Sequence, residues 1–534
     1  MKTDPHLLSR RQFLRQAACA GLGVTGMVNT MASLKLTAAA LQTQSLSDYR
    51  AMVCIYLSGG NDSNNMLIPA GNAGSDPLRA DYEAGRGAVS LAADTLHTLT
   101  IPASTGAFKK HHGGSIPPMG LHASMGEMAQ MFNDGELAVV CNVGTMVYPF
   151  TNRADYRDEI VPSPPSLFSH SDQTLQWQTS LPDQPFQTGW GGRLADLLHT
   201  AYNSNGSNVS MSVSMDGINS WQRSSSPETA LFSMGSSGIR PFSGYHKNGE
   251  ALYYHGYEEG GSFRNPIYKN SRAGSRLQAF EQLIKLTSAN LLEDAYAATV
   301  VSTREVEEVM ASAEALANNN GIDYETIFTD ATTSLGDQLK AVSRLISGRS
   351  ALGNNRQVFF VNVGGYDTHQ AILDSHADLM QELSRSLKAF RDALVASNDW
   401  DNVVAFTASD FSRTFTANGT DDDAGTDHAW GGHAVVMGGG VAGGDLYGHF
   451  PPLKLGDHAE SFDAHTSRGR WIPTTSVDQY SAVMAKWMGA DSSGMETIFP
   501  NLSRFDDPWT SSNANLNFLP ESVNRRRLIV PGLR

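Results

Sequence analysis

Five short, nearly unbroken apolar runs constrain the fold of this chain more than any other feature. They are Ala51 to Leu57, Leu137 to Val143, Val358 to Val363, Val403 to Thr407 and Ala434 to Met437. A strand with one wet face alternates apolar and polar residues. A run without alternation predicts a strand covered on both faces, as in a parallel or mixed sheet flanked by helices. Helical spacing fills the intervals between the runs. Leu379, Leu383, Leu387, Phe390 and Leu394 mark one face of a helix over 375–394, and 477–488 reads as a second, after the strand-like Trp471-Ile472-Pro473. From Arg276 to about Ala317 the pattern is one or two long helices, the core of a helical insertion (about 276–350) between two halves of the sheet. Stretches rich in Ser, Gly and Asn at 203–228 and 235–261 read as surface loops around a short strand, Val209 to Met215. The expected class is α/β with a mixed, mostly parallel central sheet.

The N-terminus reads as an address rather than a fold element. Ser9-Arg10-Arg11-Gln12-Phe13-Leu14 precedes a weakly hydrophobic stretch from Ala17 to Val28, and Ala38-Ala39-Ala40 offers small residues for a signal peptidase. Paired arginines, an apolar segment and a small-residue site in that order form a twin-arginine export signal. The apolar segment is too short and glycine-rich to stay in a bilayer, and Cys19 lacks the aliphatic neighbour of a lipobox. The expected organisation is therefore a signal peptide over 1–40 and a single α/β domain over 41–534. The destination would be the periplasm or the exterior, with the twin-arginine translocase as partner during export.

Net charge narrows the partners. The chain carries −15, and residues 1–40 hold Lys2, Arg10, Arg11, Arg15 and Lys35 against Asp4, so the remainder is more acidic still. An acidic surface opposes phosphate backbones and anionic lipid, which argues against nucleic acid as a partner. No later segment is apolar for long enough to span a membrane, so no stable membrane insertion is expected. Cys54 and Cys141 lie inside apolar runs and read as buried thiols rather than a disulfide framework.

Chemistry-bearing residues gather where the runs end. The first run leads into Gly59-Gly60-Asn61-Asp62, the third into Gly364-Gly365-Tyr366-Asp367-Thr368-His369, and the fourth into Ser409-Asp410-Phe411. Asp427-His428 and His433 lie just before and at the start of the fifth, so the preceding loop is expected to fold back over the same edge. Ligands of open α/β sheets bind outside the carboxyl ends of the strands. Carboxylates mixed with imidazoles suit Zn, Mn or Fe rather than the all-oxygen shells of Mg or Ca. Asp62, Asp367, His369, Asp410, His428 and His433 are the candidate metal ligands. Ser169, in Phe168-Ser169-His170, could be a hydroxyl nucleophile at a helix start, although its spacing reads more simply as a helix cap. Two glycine patterns carry no cofactor. Gly21-x-Gly23-x-x-Gly26 falls in the export signal, and Gly438-x-Gly440-x-x-Gly443 runs on into loop-forming residues.

Taken together, the paired arginines, Leu57-Ser58-Gly59-Gly60-Asn61-Asp62, Gly365-Tyr366-Asp367-Thr368-His369, Ser409-Asp410-Phe411-Ser412-Arg413-Thr414 and Asp427-His428 resemble the bacterial family called domain of unknown function 1501. Ser169-His170 with Trp177-Gln178-Thr179, Gly189-Trp190-x-Gly192-Arg193 and Gly469-Arg470-Trp471-Ile472-Pro473-Thr474-Thr475 extend that resemblance over nearly the whole chain after the signal. It implies a fold similar to the alkaline phosphatase and sulfatase superfamily, in which two metal ions activate a Ser or Thr nucleophile on a phosphate or sulfate ester. Carried over, it implies Asp62, Asp410 and His428 around one divalent ion, Asp367, His369 and His433 around the other, and Ser169 as nucleophile. The chain departs from that pattern at Phe411, where the superfamily usually has a histidine, and in the short Asp367-to-His369 spacing. The function expected is hydrolysis of a small or polymeric ester. The alternative is a non-catalytic envelope protein that keeps the fold for binding or assembly.

Overall fold

The computed structural model describes residues 49–101, 117–203, 209–236, 257–258, 262–263, 270–284, 309–310, 313–457, 461–465, 467–511 and 513–520. The export signal of 1–40, with Cys19 and the cleavage site, lies outside these residues. So do most of the loop at 235–261 and residues 285–308 of the helical insertion.

Among the described residues, all five apolar runs are strands of one nine-stranded sheet. The strands are β1 (Arg50–Leu57), β2 (Leu137–Gly144), β3 (Ser212–Ser214), β4 (Phe232–Ser233), β5 (Arg356–Val363), β6 (Val403–Ser409), β7 (Gly432–Met437), β8 (Leu446–Gly448) and β9 (Thr475–Ser476). Their order is β8-β2-β7-β6-β1-β5-β3-β4, with β9 also pairing β2. The β1 strand lies parallel to β5 and β6, while β7 runs antiparallel to both β6 and β2. The sheet is mixed and mostly parallel, flanked by helices on both faces.

Double coverage explains the unbroken hydrophobicity. Along β1, Val53, Ile55 and Leu57 join one core cluster, whereas Met52, Cys54 and Tyr56 join the other. The first face is covered by α2 (Gly126–Asn133), α5 (Ser334–Ser347) and α6 (Ile372–Ala396), through Phe132, Leu339, Leu383 and Phe390 among others. The second is covered by α3 (His170–Thr179), α4 (Trp190–Tyr202) and α7 (Val477–Met488), through Trp177, Trp190 and Tyr480. A further helix, α1 (Pro77–Arg86), follows the first β-end loop. The insertion is helical over Arg272–Ile284 and again before α5. Both Cys54 and Cys141 are buried free thiols. Among the described residues no helix is long and apolar enough to cross a membrane.

Strand direction corrects one expectation. The loop before β7 does not have to fold back over the sheet. Because β7 runs antiparallel to its neighbours, its first residue already lies at their carboxyl edge, beside Val143 of β2. The strand sequence alone carries no signal of that reversal.

Candidate metal centre

Three strand-end segments and one helix start meet at this edge. Asp367 and His369 follow β5, Asp410 follows β6, His428 precedes β7, and His170 opens α3. Gly59, after β1, makes the approach possible. At φ +116° a Cβ on this residue would stand 2.4 Å from the Asp367 backbone nitrogen, so only glycine fits. Its N–H donates to the Asp410 carboxylate at 3.2 and 3.3 Å, and its carbonyl accepts from Arg413 at 3.2 Å.

The three imidazoles are oriented from behind by oxygen acceptors. Nδ1 of His170 lies 2.7 Å from Asp410 Oδ2, Nδ1 of His428 lies 2.7 Å from the Phe168 carbonyl oxygen, and Nδ1 of His369 lies 3.2 Å from Asp427 Oδ1. An acceptor at Nδ1 places the proton there, so in each neutral ring the lone pair is on Nε2. Those lone pairs converge. Nε2 of His428 is 3.0 Å from Nε2 of His170 and 3.0 Å from Nε2 of His369. Asp367 Oδ1 lies 3.3, 3.4 and 3.1 Å from Nε2 of His428, His170 and His369 respectively. His170, Asp367 and His428 offer donor atoms within 4.8 Å of one another, and His369 adjoins the His428–Asp367 edge from a second side.

Lone pairs and an anionic oxygen at such separations repel one another. A shared proton relieves one contact; a cation among them makes every contact favourable. Ligands held about 2.0–2.2 Å from a divalent ion stand roughly 2.9–3.6 Å apart along the edges of its coordination shell, which matches this spacing. Carboxylate or carbonyl acceptors behind ligating histidines are the usual support of such shells. The donor set therefore fits Zn, Mn or Fe. Side-chain exposures of 34% for His170, 43% for His369 and 47% for Asp367 leave the outer side of the group open.

Charge around the group is balanced. Burial alone would raise the Asp367 carboxyl, but the guanidinium of Arg413, 2.7 Å away, holds it below the usual carboxylate range with help from His369 and His170. Burial would likewise raise Asp427, but Arg468, with hydrogen bonds from Asn418 and His369, lowers it on balance. Burial pushes the His428 imidazole below its ordinary value, despite its bond to the Phe168 carbonyl, and keeps it neutral. The ring of Phe411 packs against His170 and His428 at centroid distances of 4.7 and 4.8 Å, an apolar inner wall to the group. Phe168 sits at φ +72°, a strained conformation for a bulky residue, and this turns its carbonyl towards His428.

The structure brings Asp367, His369 and His428 together and separates the other candidates. Asp410 is 4% exposed and orients His170 instead of presenting an oxygen to the group. Asp62 is wholly buried against Arg86 at 2.5 Å and accepts from the Asn64 N–H, so its charge is already answered. His433 accepts from the Asn142 N–H at 3.1 Å and stacks on Phe450 at 5.0 Å, in the interior. Among the described residues one group of donors forms rather than two. Ser169 is the N-cap residue of α3, yet its hydroxyl does not cap the helix; it donates to Asp172 Oδ2 at 2.6 Å. His170, Asp427 and Arg413 were not among the candidates read from sequence. His170 sat beside Ser169 in a segment already singled out, but nothing local shows that α3 starts opposite the β5 end.

Residues 268–468 match a family profile described as protein of unknown function (DUF1501), which supports the resemblance drawn from the motifs. That span contains Asp367, His369, Asp410, Arg413 and His428, while His170 lies outside it. No curated protein matches the chain. A solved structure titled as the crystal structure of Ps i-CgsB in complex with k-i-k-neocarrahexaose aligns over 86% of this chain and 77% of that chain. The identity is 9% and the TM-score 0.26, a likeness too slight to carry an argument about fold or ligand.

Proposed function

We propose that this chain is an exported, metal-dependent hydrolase of phosphate or sulfate esters on an alkaline-phosphatase-like fold. In this reading residues 1–40 form the twin-arginine signal and 41–534 a single domain. The observation that carries the proposal is the convergence of the His170 and His428 lone pairs with Asp367 Oδ1, each ring fixed from behind by an acceptor, with His369 on the His428–Asp367 edge. His170, Asp367 and His428 would hold the ion, with His369 beside them on the His428–Asp367 edge and Asp410 and Asp427 supporting the rings. When bound, a divalent Zn, Mn or Fe ion supplies Lewis-acid polarisation of an ester oxygen and lowers the pKa of an attacking hydroxyl.

Electrostatics supports an anionic substrate. The carboxylates of Asp367 and Asp427 are matched by the guanidiniums of Arg413 and Arg468, so of the carboxylates at the centre only Asp410 is left to offset a bound cation and the rest of its charge falls to the ligand. Ser169 would supply the nucleophilic hydroxyl, freed from helix capping and already donating to Asp172, which would take its proton.

The test is a panel of phosphate and sulfate esters offered to the full chain with and without added metal, beside Ser169→Ala and Asp367→Ala. Turnover that requires metal and disappears in Asp367→Ala is the expected result. Metal-dependent turnover that survives Ser169→Ala would remove the serine from the mechanism. The second reading, an envelope binding or assembly module, draws on the Phe411 wall and the open outer side of the group. Stoichiometric metal with no turnover of any ester would favour it.

A further inference from the structure

The loop between the buried Asp463 and Trp471 presents a guanidinium that the proposed reaction does not use. Asp463 Oδ1 accepts the backbone N–H of His465 at 3.0 Å and of Arg470 at 3.1 Å, and Ala464 N–H donates to the Arg470 carbonyl at 2.9 Å. These bonds fix where the Arg470 side chain leaves the backbone. Its guanidinium lies 4.1 Å over the ring of Phe168, the residue whose carbonyl holds His428. The exposed His465 ring packs on the other edge of Phe168 at 5.5 Å, and Tyr156 reaches His465 at 6.4 Å.

Arg470 differs from its neighbours in what answers its charge. Arg413 is paired with Asp367 and Arg468 with Asp427. Arg470 forms no ion pair among the described residues, and its buried Nε has no hydrogen-bond partner there. Of the nearby carboxylates, Asp427 is taken by Arg468, and Asp463 directs Oδ1 to backbone N–H groups while its buried Oδ2 has no hydrogen-bond partner among the described residues and makes no ion pair with Arg470. Burial, and then the like charge of Arg468, lower the Arg470 pKa from its ordinary value, against the opposing pull of Asp427, Tyr156 and Asp463. A planar guanidinium stacked on an aromatic ring keeps its donor edge free for an oxyanion.

We infer that Arg470, stacked on Phe168 beside His465, is an oxyanion-binding subsite next to the centre, which selects esters carrying a second acidic group. Arg470 lies over the Phe168 ring, and the Phe168 carbonyl meets His428 at Nδ1, on the side of that ring away from the converging Nε2 atoms, so Arg470 would grip a phosphate, sulfate or carboxylate other than the one being cleaved. Arg470 is thus a specificity residue rather than a metal ligand. The substrate selection rests on the hydrolase reading; the anion site itself does not.

Two measurements keep these apart. Chelator-treated full-length protein is titrated with inorganic sulfate by calorimetry, comparing wild type, Arg470→Met and Arg470→Lys. Loss of the bidentate fork should weaken sulfate about tenfold or more in Arg470→Met and by a smaller factor in Arg470→Lys. Equal sulfate affinity in all three, or none in wild type, overturns the inference. A matched melting temperature for Arg470→Lys excludes misfolding as the cause. Metal-loaded protein is then given nitrophenyl phosphate and a carboxylated nitrophenyl phosphate. Arg470→Met should raise KM for the carboxylated ester alone, by about tenfold, with kcat unchanged. An equal rise for both esters contradicts the second-group assignment. Wild-type protein that binds sulfate through Arg470 but turns over neither ester sinks the hydrolase reading and leaves the anion site standing.

Discussion

His170 and His428 face each other with their Nε2 atoms 3.0 Å apart, although each ring has already committed its Nδ1 proton to an oxygen acceptor. The two lone pairs need a cation or a proton between them, and Asp367 Oδ1 stands within 3.4 Å of both.

That relationship makes the first expectation. His170→Ala, His428→Ala and Asp367→Ala should each lower the affinity for Zn or Mn strongly, because each removes a donor and not its support. Equilibrium dialysis with elemental analysis checks it. Unchanged affinity in His170→Ala would show that the helix start is not part of the shell.

The acceptors behind the rings should matter less than the donors, but measurably. Asp410→Asn and Asp427→Asn keep the shape while weakening the hold on His170 and His369. Their metal affinity should fall by about 10–100-fold, with the fold retained. An abolished site in Asp410→Asn would mean that its carboxylate is itself a ligand.

Asp62 should behave as a structural charge. It shares a fully buried ion pair with Arg86, which also donates to Asn65 Oδ1 and to the carbonyls of Thr414 and Phe415. Asp62→Ala strands that guanidinium and should cost about 3–5 kcal/mol of stability. Metal content per folded chain should not change. Denaturant unfolding and elemental analysis on the same preparation separate the two effects.

Buried histidines set an acid limit. Burial pushes His122 down to about 4, and His376 and His433 down to about 3, against 6.5 for an unperturbed imidazole. A folded-state value below the unfolded one means that the unfolded chain binds more protons in between. Stability is then fully present above about pH 6.5 and declines as pH falls from there towards about 3–4. Thermal midpoints from pH 7 to 4 should fall steadily, and His433→Gln should flatten part of the slope. A flat profile in wild type would contradict the burial of these rings.

Much of the sheet was legible because double burial leaves an unbroken apolar run, as in β1 and β2, and because α6 and α7 carry one-sided apolar spacing. Strand direction was not, since apolarity is blind to it; hence the misplaced expectation about the loop before β7. The same limit governs the site. Strand ends pointed to Asp367, His369 and His428, but a strand-end Asp reads alike whether it binds a cation or an arginine. Only long-range packing pairs Asp62 with Arg86 and sends His433 inward. His170 escaped for the converse reason: α3 reaches the sheet edge from a distant part of the chain.

Elemental analysis of the purified full chain, after incubation with Zn, Mn or Fe and removal of loose ions, tests the central claim most directly. The expected result is about one equivalent of bound metal per chain, lost in Asp367→Ala and His428→Ala and retained in Asp62→Ala. No stoichiometric metal in the folded wild type, or equal metal in Asp367→Ala and wild type, would contradict the assignment of His170, Asp367 and His428 as its ligands.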